Sequence, residues 1–185
     1  MNTCKICLKK FVGKSIYQKY CNSCQEKFIK DKNKIYIYIS AGWFSKKQEK
    51  ALEYIEKLIL NNNKFQFYSP RKEIQLESGK IQSKNSRLSV FNSNIAAITI
   101  ADLIISSTVE KDMGTLFEDG YAYAKNIPII YTLFDDDLKD VIFNLMLSES
   151  GIACFTDKKE FEKFITTINK NNIKTIKKEY KGKIE

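Results

Sequence analysis

The stretch DMGTLFEDGYA, residues 112–122, places Glu118 six positions after Asp112, with Gly114 and Thr115 between them. The chain has no histidine, which removes imidazole catalysis and imidazole metal ligation together. A carboxylate working without histidine or metal points to covalent catalysis on a sugar, in which it attacks an anomeric carbon. Asp112 precedes the helix that carries Glu118, where it either caps the helix or binds a ligand hydroxyl. Tyr36 and Tyr38 lie on an earlier strand and offer phenols, one of which can orient a carboxylate. The plainer reading of Glu118 alone is a solvated position on a helix.

Cys4, Cys7, Cys21 and Cys24 form a second constellation, C-x2-C-x13-C-x2-C. Two such knuckles place four thiolates around one structural Zn²⁺, although the intervening loop is slightly short of the usual window. The rivals are a pair of disulfides, a redox pair and an iron–sulfur site. Residues 1–31 are too few to bury a core of their own, so a metal would supply the folding energy. Phe11, Lys14, Tyr17 and Tyr20, between the knuckles, either cover the metal or touch nucleic acid. Cys154, in GIACFTD, reads as an ordinary buried strand residue.

The elements that must position these residues alternate. Strands are expected at 34–40, 64–70, 102–107, 128–132 and 152–156, and helices at 46–61, 87–100, 114–126, 138–149 and 158–170. The first strand alternates Ile with Tyr and reads as covered on both faces. Ser45 and Gln48 match a capping box for the first long helix. Residues 71–86 read as a long surface loop, and the last residues, KEYKGKIE, as an exposed tail. Three parts follow: a Cys4 metal-binding segment at 1–31, an α/β domain at 34–170 and a basic tail at 171–185. The domain is expected to be an open, mostly parallel five-stranded sheet with helices on both faces. Such sheets bind ligands beyond the carboxyl ends of their strands, where Glu118 falls.

Composition narrows the rest. The 185 residues are 43% hydrophobic, as in a globular chain. No apolar run reaches the roughly 18 residues that span a bilayer, and MNTCKICLKK is no signal peptide, so a cytoplasmic setting without membrane partners is expected. The net charge of +9 comes from lysines scattered over the chain, so nucleic acid is the weaker reading of the charge. SAGWFS has one glycine and matches neither phosphate-binding nor dinucleotide fingerprints.

Three segments together resemble the nucleoside 2-deoxyribosyltransferases. IYISAGWFSKKQ (37–48) resembles the family's Y-x-x-A-G-W-F-x-x-x-Q opening. DMGTLFEDGYA (112–122) resembles its D-x-G-x-x-x-E-x-G-Y-A helix, and NLM (144–146) a short segment contributed by a neighbouring subunit. The similarity spans about residues 35 to 165 and implies a flavodoxin-like fold. It implies Glu118 as nucleophile and Tyr38 as the tyrosine that positions it. It places Asp112 and Asn144 on the deoxyribose 5′-hydroxyl, Trp43 and Phe44 along the base pocket with Gln48 near it, and Met146 beside Asn144. The family often carries an aspartate that protonates the departing base, and here Asn94 stands at that position. The implied substrates are deoxyribonucleosides and free nucleobases, in nucleoside salvage. No catalytic cofactor is implied, and the implied assembly is a homo-oligomer, dimer or hexamer, because Asn144 given in trans requires at least two subunits. The cysteine segment lies outside the family pattern. Two other readings remain: a hydrolase of deoxynucleosides or deoxynucleotides on the same fold, and a zinc-ribbon module binding nucleic acid or protein.

Overall fold

A computed structural model of the chain describes residues 1–15, 18–73, 83–137 and 141–185, apart from the side chain of Lys27. Tyr17, the middle of the expected 71–86 loop and the first residues of the expected 138–149 helix lie outside the described residues.

At the N-terminus, β1 (Asn2–Thr3) pairs antiparallel with β2 (Lys10–Phe11), and α1 (Asn22–Lys27) follows. The Ile–Tyr run then forms β3 (Ile35–Ala41), every residue of it buried. Strand side chains alternate between faces, so Ile35, Ile37 and Ile39 enter one core while Tyr36 and Tyr38 enter the other. The remaining sheet strands are β4 (Phe65–Tyr68), β5 (Leu103–Ser107), β6 (Ile129–Thr132) and β8 (Ala153–Phe155), in spatial order β4-β3-β5-β6-β8, all parallel. This is the doubly wound order with its switch point between β3 and β5, as the sequence led us to expect.

Helices cover both faces. On the isoleucine face lie α2 (Lys46–Leu60) and α7 (Lys158–Thr167), burying Leu52, Ile55, Ile59, Phe161 and Ile165. On the tyrosine face lie α4 (Lys84–Ile100) and α5 (Met113–Ala124), burying Ala97, Ile98 and Ala122. No described helix is long and apolar enough to cross a membrane.

Local chemistry accounts for several departures from the expected elements. Part of the expected loop is α3 (Pro70–Glu73), opened by a proline whose missing N–H costs nothing at a helix start. Its Arg71 reaches the buried Glu56 carboxylate at 2.6 Å. Likewise α4 begins at Lys84, because Ser83 accepts the backbone N–H of Ser86 and caps it. The capping box at Ser45 is half formed. Ser45 accepts from the Gln48 backbone, but the Gln48 side chain turns to the Phe44 N–H and the Val109 carbonyl instead.

The expected helix at 138–149 is replaced by a short strand, β7 (Ile142–Phe143), and a short helix, α6 (Leu145–Ser150). Asn144 separates them: its Oδ1 accepts the backbone N–H groups of Met146 and Leu147, so the helix starts there. The C-terminus is correspondingly less free than expected. Ile173 is buried, Tyr180 packs on Phe143 at 5.3 Å, and β9 (Lys183–Ile184) pairs with β7. The side chains of residues 181–185 remain exposed.

Candidate active site

Glu118 sits in the second turn of α5, over the tyrosine face of β3, where it meets Tyr38 and Ser40. The helix is fixed by Asp112, whose Oδ2 accepts both the backbone N–H and the hydroxyl of Thr115 at 2.8 and 2.9 Å. Of the two roles open to Asp112, the structure shows the cap.

Three donors converge on the Glu118 carboxylate. The Tyr38 hydroxyl donates to Oε1 at 2.6 Å and the Asn94 amide to the same oxygen at 3.2 Å, while the Ser40 hydroxyl donates to Oε2 at 2.8 Å. Tyr68 donates to the Asn94 carbonyl oxygen at 3.4 Å, which leaves that amide's N–H to point at the carboxylate. Burial pushes the Glu118 carboxyl above its ordinary range, and the three hydrogen bonds, which favour the charged form, oppose it. Tyr38 is fully buried; burial first and the Glu118 charge next hold its phenol well above its usual value, so it stays a donor. The arrangement is a half-buried, oriented carboxylate at a sheet rim, suited to nucleophilic attack on a carbon.

Asp119 points elsewhere, as successive helical residues diverge by about 100°. It is buried against the sheet, with Oδ2 accepting from Ser106 at 2.7 Å and Oδ1 without a hydrogen-bond partner among the described residues. Burial chiefly, and then the neighbouring Glu118 charge, raise its carboxyl to about 7.

The other expected site residues are spread more widely. Trp43 and Phe44 stack on one another at 5.0 Å, just after β3, and Phe44 is 75% exposed. Gln48 is buried and committed to backbone groups. A Cβ at Gly42 would lie 2.8 Å from its amide, so glycine is needed for that approach. Asn144 and Met146 are exposed and line a cleft of about 960 Å³, together with Leu116, Asp119, Gly120 and Tyr123. Glu118 is not among the residues that line that cleft. Sequence reasoning missed Ser40, although it stands two residues after Tyr38 on the same strand and therefore on the same face. It also missed Tyr68, whose ring stacks on Tyr38 at 5.6 Å.

The four cysteines of the N-terminal segment come together: their sulfurs all lie within 4.8 Å of one another. All are free thiols, and Cys7 and Cys21 stand 3.7 Å apart at sulfur. Tetrahedral thiolates around one ion with bonds of 2.3 Å would be about 3.8 Å apart, so the set fits a single metal ion. Burial raises the Cys24 and Cys7 thiols, whereas at Cys4 the backbone N–H groups of Cys21, Cys7 and Ile6 overcome burial and lower the thiol to about 6.

The fold and the held carboxylate define a flavodoxin-like α/β domain with an oriented glutamate on the tyrosine face of its sheet. The family model described as nucleoside 2-deoxyribosyltransferase matches residues 37–176, and the chain belongs to that family. Among solved structures, a 2-deoxyribosyltransferase from Bacillus psychrosaccharolyticus is similar at 24% identity and TM-score 0.64, covering 78% of this chain and 99% of that one. A conserved protein from Enterococcus faecalis V583 is similar at 18% identity and TM-score 0.56, covering 72% and 98%. Both show the same fold. No curated protein matches the chain in sequence. The family match begins at residue 37, after the cysteine segment.

Proposed function

We propose that this protein transfers 2-deoxyribose from one nucleobase to another through an ester on Glu118. The observation that carries the reading is the carboxylate held by Tyr38, Ser40 and Asn94 within a domain of this family.

The reaction runs as two displacements. A Glu118 oxygen attacks C1′ from the face opposite the base, the C1′–N bond breaks, and its electron pair leaves with the base, which takes up a proton from solvent. A ring nitrogen of the acceptor base then attacks C1′ from the vacated face and gives its proton back to solvent, the ester C–O bond breaks with its electron pair returning to the carboxylate, and Glu118 is regenerated with configuration retained overall. Tyr38 and Ser40 fix the carboxylate's direction, which is worth more to catalysis than any change in its basicity. Asn94 cannot give up a proton to the departing base. Its amide is engaged with Glu118 and Tyr68, so it acts by orienting the nucleophile. A 2′-hydroxyl withdraws electrons from the oxocarbenium-like transition state, so deoxyribonucleosides are the preferred donors.

Asn144 and Met146 serve the site of a second subunit, where Asn144 and Asp112 hold the 5′-hydroxyl. Their exposure beside the cleft leaves them free to do so. Trp43 and Phe44 flank the base. The cysteine segment, residues 1–31, holds one Zn²⁺, which gives it a tetrahedral tie in place of a core.

The test is base exchange. Deoxyadenosine incubated with hypoxanthine should yield deoxyinosine and adenine by chromatography. Release of free deoxyribose at the same rate with hypoxanthine omitted would instead assign the hydrolase.

A further inference from the structure

The cysteine segment does not hang from the domain; it is pressed onto the residues that hold Glu118. The contact is Phe28, the residue just after α1. Its ring packs in the cluster of Cys4, Ile6 and Cys24, and equally in the cluster of Tyr36, Tyr38 and Tyr68. It stacks on Tyr68 with ring centres 6.0 Å apart and planes 26° from parallel. Tyr68 in turn stacks on Tyr38 at 5.6 Å and 11°. Three rings in register thus run from the four thiols to the phenol that donates to Glu118. The same segment touches a second support of the carboxylate, because Ala96 of α4 packs on the cysteine cluster two residues after Asn94.

Beyond Phe28 the chain is fastened again. Gln66 of β4 donates to the Ile29 carbonyl and accepts the Asp31 N–H, at 2.9 and 2.8 Å. Lys30 pairs with Asp102, whose other oxygen accepts the Tyr36 N–H at 2.9 Å. Phe28 is therefore held on one side by the polar ties to β3 and β4, and on the other by whatever fixes the four cysteines. The apolar burial seen in the segment is too small to do the latter, since among its described residues only Cys4, Ile6 and Cys24 are buried.

We propose that the cysteine segment, with its metal bound, is a clamp on the catalytic tyrosine, and that Phe28 is the positioning residue through which it acts. With the ion in place, Phe28 presses Tyr68 against Tyr38. With the ion lost or the thiols oxidised, the stack loosens and the Tyr38–Glu118 hydrogen bond weakens. Substrate recognition is untouched, because none of these rings is among the residues assigned to the base or the sugar. The inference rests on Glu118 and Tyr38 acting as assigned above.

The full-length, metal-loaded Phe28→Ala variant tests it, with Phe28→Tyr as the conservative companion. Phe28→Ala should keep one metal per chain and lose about ten- to a hundredfold in kcat, the scale on which a small misplacement of a catalytic group acts. KM should stay near that of the parent, which separates lost positioning from lost binding. The acidic limb of its pH–rate profile should move up, because the hydrogen bond that favours ionised Glu118 is weaker. Phe28→Tyr should restore both. Amide hydrogen exchange at Tyr68 and Tyr38, which needs no turnover, should quicken in Phe28→Ala and in the parent stripped of metal. An unchanged kcat and unchanged exchange in metal-loaded Phe28→Ala would overturn the clamp. Should Phe28→Ala lose its metal, Phe28→Leu keeps the apolar volume without the stack and is read in the same way. If the parent shows no glycosyl transfer at all, the functional reading fails, while exchange at Tyr68 still decides whether the segment clamps the tyrosines.

Discussion

The α/β domain and the cysteine segment reach order by opposite means. The domain buries two apolar layers, one on each face of a five-stranded sheet, and its site geometry follows from strand register and helix caps. The segment, about thirty residues long, buries one isoleucine and two of its own thiols. The first is held by burial, which is non-directional and spread over many side chains. The second, on our proposal that its four sulfurs hold one ion, depends on them, so losing one removes most of what holds it. Phe28 belongs to both clusters, and the difference shows where each region is vulnerable: the domain at its chemistry, the segment at its order.

The largest effect expected lies wholly in the domain. Glu118→Ala should abolish base exchange, by at least about a thousandfold, since Glu118 is the carboxylate that Tyr38, Ser40 and Asn94 hold in place. Its melting temperature and metal content should match the parent's. Next in size is Cys24→Ser, which should lose the metal and leave residues 1–31 open to proteolysis while the α/β domain still melts cooperatively. Limited digestion followed by mass spectrometry reads this directly. If the domain unfolds along with the segment, the two are one cooperative unit and the contrast drawn above fails.

Tyr38→Phe is a smaller change within the same network. It removes the shortest hydrogen bond to Glu118, which stabilises the ionised carboxylate. Without it the carboxyl, already raised by burial, rises further, so a higher pH is needed to ionise the nucleophile. The acidic limb of kcat/KM should therefore shift up. Above that limb the loss should be about tenfold, the cost of a hydrogen bond to a charged group. A limb that stays in place would show that Ser40 and Asn94 alone set the charge.

Much of this was legible in the chain because it follows from periodicity and local chemistry. The Ile–Tyr alternation of residues 35–39 set the two faces of β3 and so put Tyr38 on the side of Glu118. Asp112 three residues before Thr115 announced its cap. The cysteine spacing announced the cluster. What escaped was decided by distant partners. A helix over 138–149 was the better local reading, yet Ile142–Phe143 pairs with residues some forty positions later. Phe28 carries no motif position in the sequence, and only the return of the chain through β4 brings Tyr68 to it. Gln48 carried a motif position, but its amide is absorbed by Phe44 and Val109.

The smallest effect concerns a cost that the domain's apolar layers absorb and the segment could not. Asp119 is 1% exposed, one of its oxygens has no partner among the described residues, and its carboxyl is raised from the ordinary 3.8 to about 7. The groups around it are Glu118 on its own helix, Ser106 on β5, Ser40 on β3, and the phenols Tyr38 and Tyr131. Below about pH 4 the folded and unfolded chains both hold the proton and the group costs nothing. As pH rises toward 7 the unfolded chain releases its proton first, so the folded state loses stability across that window, and above it the full cost is present. Moving that carboxyl from 3.8 to about 7 corresponds to at most about 4 kcal/mol. Asp119→Asn keeps an acceptor for Ser106 and never ionises. It should melt with the parent at pH 4 and about 5–10 °C above it at pH 8, by calorimetry. Parallel melting curves across that range would mean that Asp119 pays no such penalty, and that the sheet beneath α5 tolerates charge as readily as the exposed segment does.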